Sequence, residues 1–468
     1  MSFGKYLEEI IRKREISINN LTKLSGVNRG KLYSVFESKR TLNLEELFAL
    51  INNLGFLEIE VRNLLNLYFE EMYGKTEFSN IKFLEEVLQK ENLKIAPDAE
   101  DENTAFVNAS VVSGKEIDAA VKYIIQNDNG LITNFPVTDK EMDRAVFSSI
   151  LKTEQKSFVH MIEFSCDANA MEIFDGIFIS LKYCWHNYFP LYCYSGYRKA
   201  SNVIFPYYFA GERYALLFNE ENGIWIDNAD TAGMIRTNAE KAASECKSFG
   251  VKPDDIMFVK DLYEKSSKSM GNAFSITYYP CLAQYVDFDF MHSITRDELP
   301  DKEMLARVAY EYYAKLFQFT EFRQITSIKG IEWFAETGCV QEVPAAYVHN
   351  ADKHQRVKVL KNLVNGIEKD ELYILDEEKI SILPGMEIEN YHDKFVISGY
   401  DICKENFSST DRFIISFEDR SVINVFNNFM DYIIKSQKVY SKEFSVRLVE
   451  SLIVKLQNEM ETDSGSTV

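Results

Sequence analysis

Several absences narrow this chain before any pattern in it is read. Across 468 residues no run of 18 or more apolar residues occurs, so no membrane-spanning helix and no membrane partner are expected. The segment MSFGKYLEEIIRKRE places its basic residues after its apolar ones, the reverse of a secretory signal. There is no GxxxxGK(S/T) phosphate loop, no GxGxxG dinucleotide turn, no HExxH zinc helix and no GxSxG nucleophile elbow. The seven cysteines (Cys166, Cys184, Cys193, Cys246, Cys281, Cys339 and Cys403) include no CxxC pair. An odd, dispersed set reads as reduced thiols in a cytoplasm, packed as small apolar groups. Cys184, His186 and Cys193 are close enough in sequence to be weighed as metal ligands, but sheet packing accounts for them, and neither a metal nor a cofactor is expected.

Positive charge is also scarce. Lys and Arg number 52 against 72 Asp and Glu, a net charge of -20. Residues 1–40 are the exception, with nine bases against four acids, +5 in a chain whose remainder carries -25. Within LTKLSGVNRGKLYSVFESKR, residues 21–40, five bases accompany one acid, Glu37. A basic patch on an acidic body is the electrostatic footprint of phosphate binding.

Periodicity divides residues 3–73 into five short helices. Phe3, Leu7, Ile10, Ile11 and Arg14 recur at helical spacing. Ser17 caps a second helix through Leu24, Gly26 makes a turn, and Asn28 caps a third helix with Leu32, Val35 and Phe36 inward. Leu44, Leu47, Ile51 and Leu54 form a fourth stripe, ended by Gly55, and Val61, Leu64, Leu65, Tyr68 and Met72 a fifth. Two short helices joined at a glycine form the helix-turn-helix pattern. With Leu32, Val35 and Phe36 buried, Arg29, Lys31 and Ser34 are left to face a groove, Gly30 allows close approach to a backbone, and Lys39 and Arg40 follow as phosphate contacts.

The stretch SINNLTKLSGVNRGKLYSVFESKRTLNLEELFALINNLG resembles the lambda-repressor-like, Xre-type family of bacterial DNA-binding domains, on the framework Leu21, Gly26, Val27, Leu32, Phe36, Leu44, Leu47 and Leu54. It departs from that family at Ile18, where Gln is usual, and at Thr22, where a small residue is usual. The resemblance implies a partner, double-stranded DNA, and a homodimer, because one recognition helix reads few bases.

Beyond residue 104 strands and helices alternate, an α/β arrangement. The order strand, strand, amphipathic helix occurs twice, which reads as an internal duplication. The expected fold is therefore multi-domain. An all-α helix-turn-helix domain (1–74) leads through a helical connector and acidic linker (75–104) to a first α/β half (105–265). A helical connecting region (266–350), a second α/β half (351–440) and a terminal helix with a tail (441–468) follow. The α/β region is assigned effector sensing and oligomerisation. The aromatic-rich segment 183–199 offers Trp185, Tyr194 and Arg198 as ligand contacts, with His392 and Lys394 from the second half.

YHDKFVISGYD, with its HxK spacing at His392 and Lys394, resembles part of the phospholipase-D motif, a fold of two α/β halves. The Asp that should follow is Gly399, and the first half supplies no matching His near FPYYFAGERYALLF, so the resemblance implies a degenerate binding fold and no catalysis. The sequence reads as a cytoplasmic DNA-binding transcriptional regulator. The alternatives are a phosphodiesterase-like enzyme using His392 and Lys394, and a phage-defence or antitoxin-type protein-interaction module.

Overall fold

The computed structural model describes residues 1–87, 111–135, 157–166, 168–183, 188–195, 204–248, 250–251, 273–317, 322–341, 343, 347–382, 384–391, 394–400 and 412–465. They form two compact units, Met1–Glu86 with Val425–Val439, and Val87–Asn424 with Tyr440–Val468.

The first unit is all-α, with α1 (Phe3–Lys13), α2 (Ile18–Ser25), α3 (Arg29–Phe36), α4 (Leu44–Leu54), α5 (Glu58–Tyr73) and α6 (Lys75–Val87). Ser2, Ser17, Asn28 and Asn43 each accept the backbone N–H three residues on, so every one of the first four helices starts at a capping side chain. Leu32, Val35 and Phe36 are buried as their spacing requires. In α4 the fully buried pair is Leu47 and Leu50, with Leu44, Ile51 and Leu54 only half-buried. In α5 Phe69 is buried and Met72 is exposed. Gly4 permits the close approach of α1 to α3: a Cβ there would lie 1.8 Å from the Val35 carbonyl oxygen.

The chain returns to this unit at Val425–Val439. Phe429, Met430 and Ile433 are buried, and the Tyr432 ring meets Phe69 at 5.0 Å and Phe78 at 5.9 Å. Tyr73 donates to Asp431 at 2.7 Å and Asn428 to Glu77 at 2.8 Å. Glu85, buried, pairs with Lys82 at 2.6 Å and with Lys438. Burial pushes the Glu85 carboxyl up, but the two ammonium groups outweigh it and hold it below the usual range. The expected connector at 75–104 thus begins with a helix that is part of a core: Phe78, Ile81 and Leu84 are buried. Residues 88–104 lie outside the described residues.

The second unit carries two mixed sheets. Its elements are β1 (Val111–Ser113), α7 (Lys115–Asn127), β2 (Leu131–Thr133), β3 (Phe158–Ser165), α8 (Ala170–Tyr183), β4 (Tyr188–Ser195), β5 (Tyr207–Ala210), β6 (Tyr214–Phe218), β7 (Asn222–Asp227), α9 (Ala229–Ser244), β8 (Lys247–Ser248) and β9 (Gly250–Val251). There follow β10 (Ala273–Thr277), α10 (Phe288–Ile294), α11 (Lys302–Phe317), β11 (Phe322–Thr326), α12 (Ile328–Thr337), α13 (Lys353–Glu368), β12 (Leu372–Ile374), β13 (Glu387–Tyr391), β14 (Lys394–Tyr400), β15 (Arg412–Phe417), α14 (Arg420–Lys435), which belongs to the first unit from Val425 on, and α15 (Lys442–Gly465). The sheet orders are β1-β7-β6-β5-β2-β3-β4-β8 and β12-β11-β10-β13-β14-β15-β9.

Both sheets share one plan. Three strands run parallel in chain order (β2, β3, β4 and β10, β11, β12), and three antiparallel strands (β5, β6, β7 and β13, β14, β15) extend from the first of them. In chain order a helix follows each set, α9 after β7 and α14 after β15. The repeat expected from the sequence is present in the topology, but the second set opens at β10 rather than at residue 351. The region 266–350, expected to be helical, contributes two neighbouring parallel strands, β10 and β11. The reason is the unusual face they present. Lateral rows Gln324–Ser275–Glu389 and Thr326–Thr277–Glu387–Ser398 put buried polar side chains on one side. Ile325, Ile276, Ile388, Ile397 and Ile415 form a continuous row on the other. A strand that is half polar and mostly buried lacks the apolar run by which buried strands are found.

Candidate nucleic-acid interface

The candidate interface is built on α2, the turn after it, and α3. Ser17 accepts from the Asn20 N–H at 3.2 Å and starts α2. Gly26 ends it in the left-handed region at φ 71°. Asn53 of α4 donates to the Leu24 carbonyl at 3.2 Å and ties that end down. Asn28 accepts from the Lys31 N–H at 2.8 Å and starts α3, which makes Arg29 its first residue. Because Leu32, Val35 and Phe36 are inside, Arg29, Gly30 and Tyr33 are exposed.

The charged side chains divide sharply. Lys5 and Arg12 pair with Glu8, Lys13 with Glu9, Arg14 with Glu60, Lys31 with Glu46 and Lys39 with Glu37. Lys23, Arg29 and Arg40 have no acid within ion-pair distance among the described residues, and all three are exposed. Of nine bases in residues 1–40, three therefore lack an acid partner among the described residues, and all three lie in the 21–40 stretch.

Lys31 departs from expectation. Its Nζ lies 2.7 and 2.5 Å from the two Glu46 carboxylate oxygens, and Glu46 also accepts the Asn43 N–H, so Lys31 is committed to α4. The Ser34 hydroxyl donates back to the Gly30 carbonyl at 3.0 Å and is turned along its own helix. Lys39 is held by Glu37 at 2.7 Å, which raises the ammonium and lowers the carboxyl, but this exposed pair opens readily to solvent or to a competing phosphate. Arg29 instead stacks on Tyr33, its Cζ 5.7 Å from the ring centroid and its Nη2 3.4 Å from the hydroxyl. Tyr33 was not among the expected contacts. Its position four residues after Arg29, on the same helix face, is the signal that marks it.

Of the expected ligand contacts of the second unit, Tyr194 and Lys394 are among the described residues. Trp185, Arg198 and His392 lie outside the described residues, as do Cys184 and His186. The Tyr194 hydroxyl donates to Asp419 at 2.7 Å, and burial together with that carboxylate pushes the phenol up. Asp419 also accepts the Ser421 N–H at 2.8 Å, so Tyr194 braces the start of α14. Lys394 is buried, with Glu418 3.4 Å from its Nζ. Among the described residues no group of three or more His, Cys, Asp or Glu is placed to hold a metal ion, and no helix is long and apolar enough to cross a membrane.

No protein-family model matches the chain, and no curated protein matches it. Among solved structures it is similar to a phosphatidylserine synthase of Haemophilus influenzae Rd KW20 at 10% sequence identity and a TM-score of 0.24, over 76% of this chain and 94% of that one. At that TM-score the likeness carries no argument about fold or activity.

Proposed function

We propose that this chain is a DNA-binding transcriptional regulator. In this reading α2, the Gly26 turn and α3 act as a helix-turn-helix, with α3 entering the major groove. The observation that carries it is the trio Lys23, Arg29 and Arg40, exposed and without an acid in ion-pair distance among the described residues, in a chain of net charge -20. An acidic protein repels DNA except where unpaired cations are concentrated, so leaving these three unpaired while six neighbours are paired favours a polyanionic partner. Arg29 would read a guanine edge or a phosphate from the start of α3, with Tyr33 supporting its guanidinium. Arg40 and Lys23 would hold phosphates on either side.

Two copies would be needed for useful specificity, and the α/β unit supplies the sensing and pairing surfaces. An effector binding one arrangement of that unit more tightly would shift the spacing of the paired helical units. Selection of host genomic fragments by the purified full-length chain tests the reading. A recurring sequence motif among the retained fragments is expected; retention without any shared motif would refute sequence-specific binding.

A further inference from the structure

Few side chains on the outward face of α3 are at liberty to read a base. Gly30 has none, Lys31 is held by Glu46, and the Ser34 hydroxyl donates to the Gly30 carbonyl. Asn28, at the cap, spends its Oδ1 on the Lys31 N–H, and a bidentate contact with adenine needs that oxygen as well as the amide nitrogen. Within Arg29–Phe36 the side chains left exposed are those of Arg29 and Tyr33.

Tyr33 is 45% exposed, a large apolar surface on a helix of eight residues. A single exposed ring is ordinary, but this one is held from two sides. Phe36, itself buried, meets it edge to face, with centroids 6.4 Å apart and an interplanar angle of 87°. Arg29, one turn earlier on the same face, has its Cζ 5.7 Å from the ring centroid and donates to the Tyr33 hydroxyl at 3.4 Å. A ring braced in this way gives up little rotamer freedom on meeting a partner. Its hydroxyl already accepts from Arg29, and the rest of the side chain is apolar.

The floor of the major groove carries one apolar group, the C5-methyl of thymine. Successive bases on a strand stand about 3.4 Å apart, so a guanidinium and a ring separated by 5.7 Å address bases one or two steps from each other. We infer that Arg29 and Tyr33 act as one reader: Arg29 takes a guanine through O6 and N7, and the Tyr33 ring packs on the methyl of a thymine one or two steps away. This pairing rests on the proposed entry of α3 into the major groove, and adds to it the second base and the residue that selects it.

The full-length chain and the DNA fragments it selects supply the test. The shared motif should contain a guanine with a thymine one or two steps away. Replacing that thymine by uracil removes only the methyl, and should weaken binding about fourfold in fluorescence anisotropy, as the loss of one buried methyl-sized group does. Tyr33→Phe should keep the preference for thymine, because the contact needs the ring and not the hydroxyl. Tyr33→Ala should bind the thymine and uracil duplexes equally while still preferring the guanine. Wild-type protein that binds both duplexes equally, at every thymine within two steps of the guanine, would overturn the pairing and leave DNA binding standing. That arm uses no substituted protein, so a folding failure cannot imitate it. Undiminished discrimination by Tyr33→Ala would also overturn the pairing, as would a motif with no thymine within two steps of a guanine. Fragments retained without any shared motif would overturn both the pairing and the sequence-specific binding beneath it.

Discussion

Arg29 owes its freedom to its place on α3. The residues three and six positions on, Leu32 and Val35, are buried, and the side chain it meets is Tyr33, which presents a ring and a hydroxyl rather than a carboxylate. If Arg29 reads a base, Arg29→Ala should cost about 1–3 kcal/mol on the selected DNA and relax preference at one base pair. Arg40→Ala should instead weaken all sequences alike. Fluorescence anisotropy on matched and scrambled duplexes separates the two. Another residue, His160, sets a pH dependence of stability. It is wholly buried on β3, with Nε2 3.0 Å from the Phe135 carbonyl and Nδ1 2.6 Å from the Tyr188 hydroxyl. The carbonyl can only accept, so Nε2 carries the proton and Tyr188 donates to Nδ1. Burial pushes the imidazole down to about 4 from 6.5. A depressed base binds protons more readily unfolded than folded. Its stabilisation is therefore complete above pH 6.5 and drains away as pH falls towards 4, on the order of 3 kcal/mol in all. Urea melts at pH 7 and pH 5 should show the second unit weakened at pH 5, and His160→Gln should flatten that difference; an equal slope in the variant would contradict it. At this scale the caps were legible, because Ser17 and Asn28 act three residues away. The commitment of Lys31 to Glu46, 15 residues on, was not, because ion pairing across helices leaves no local trace.

At the scale of elements, the helices of residues 1–73 were legible from local pattern, since each has its own apolar stripe and the first four start at a capping side chain. What lay beyond local pattern was the partner of α5 and α6. Phe69, Phe78, Ile81 and Leu84 are buried in a unit that Val425–Val439 completes. A fragment of residues 1–86 should therefore be only marginally stable. Joining it through a flexible linker to residues 420–439 should add several kcal/mol, at roughly 1.5–3 kcal/mol for each large side chain covered. Equal urea midpoints for the two fragments would contradict this. Gly4→Ala in the joined fragment should remove about 1–3 kcal/mol, because α1 must lift from the Val35 carbonyl. Strands β10 and β11 escaped the sequence for a different reason. Their alternation of Ser275, Thr277, Gln324 and Thr326 with isoleucine looks half-exposed, yet these four polar residues are buried along with Ile276 and Ile325.

At the scale of the whole molecule, alternation of strands and helices was enough to read an α/β region and its repetition, but not where the second set of strands begins. Charge was the other legible property, and it leads to the central claim. In an acidic chain the grip on phosphates must come from a few unpaired bases, so their number should appear directly in the salt dependence of DNA binding. The decisive measurement is the affinity of the full chain for a selected fragment at stepped salt concentrations, beside a Lys23→Ala, Arg29→Ala, Arg40→Ala variant that folds normally. If all three bases neutralise phosphates, the wild type should lose affinity linearly on a log–log plot. The variant should then bind far more weakly, with a slope shallower by about 0.9 for each phosphate no longer neutralised. A variant with unchanged affinity and unchanged slope would contradict the account, because the basic stretch would then be only a solvated face.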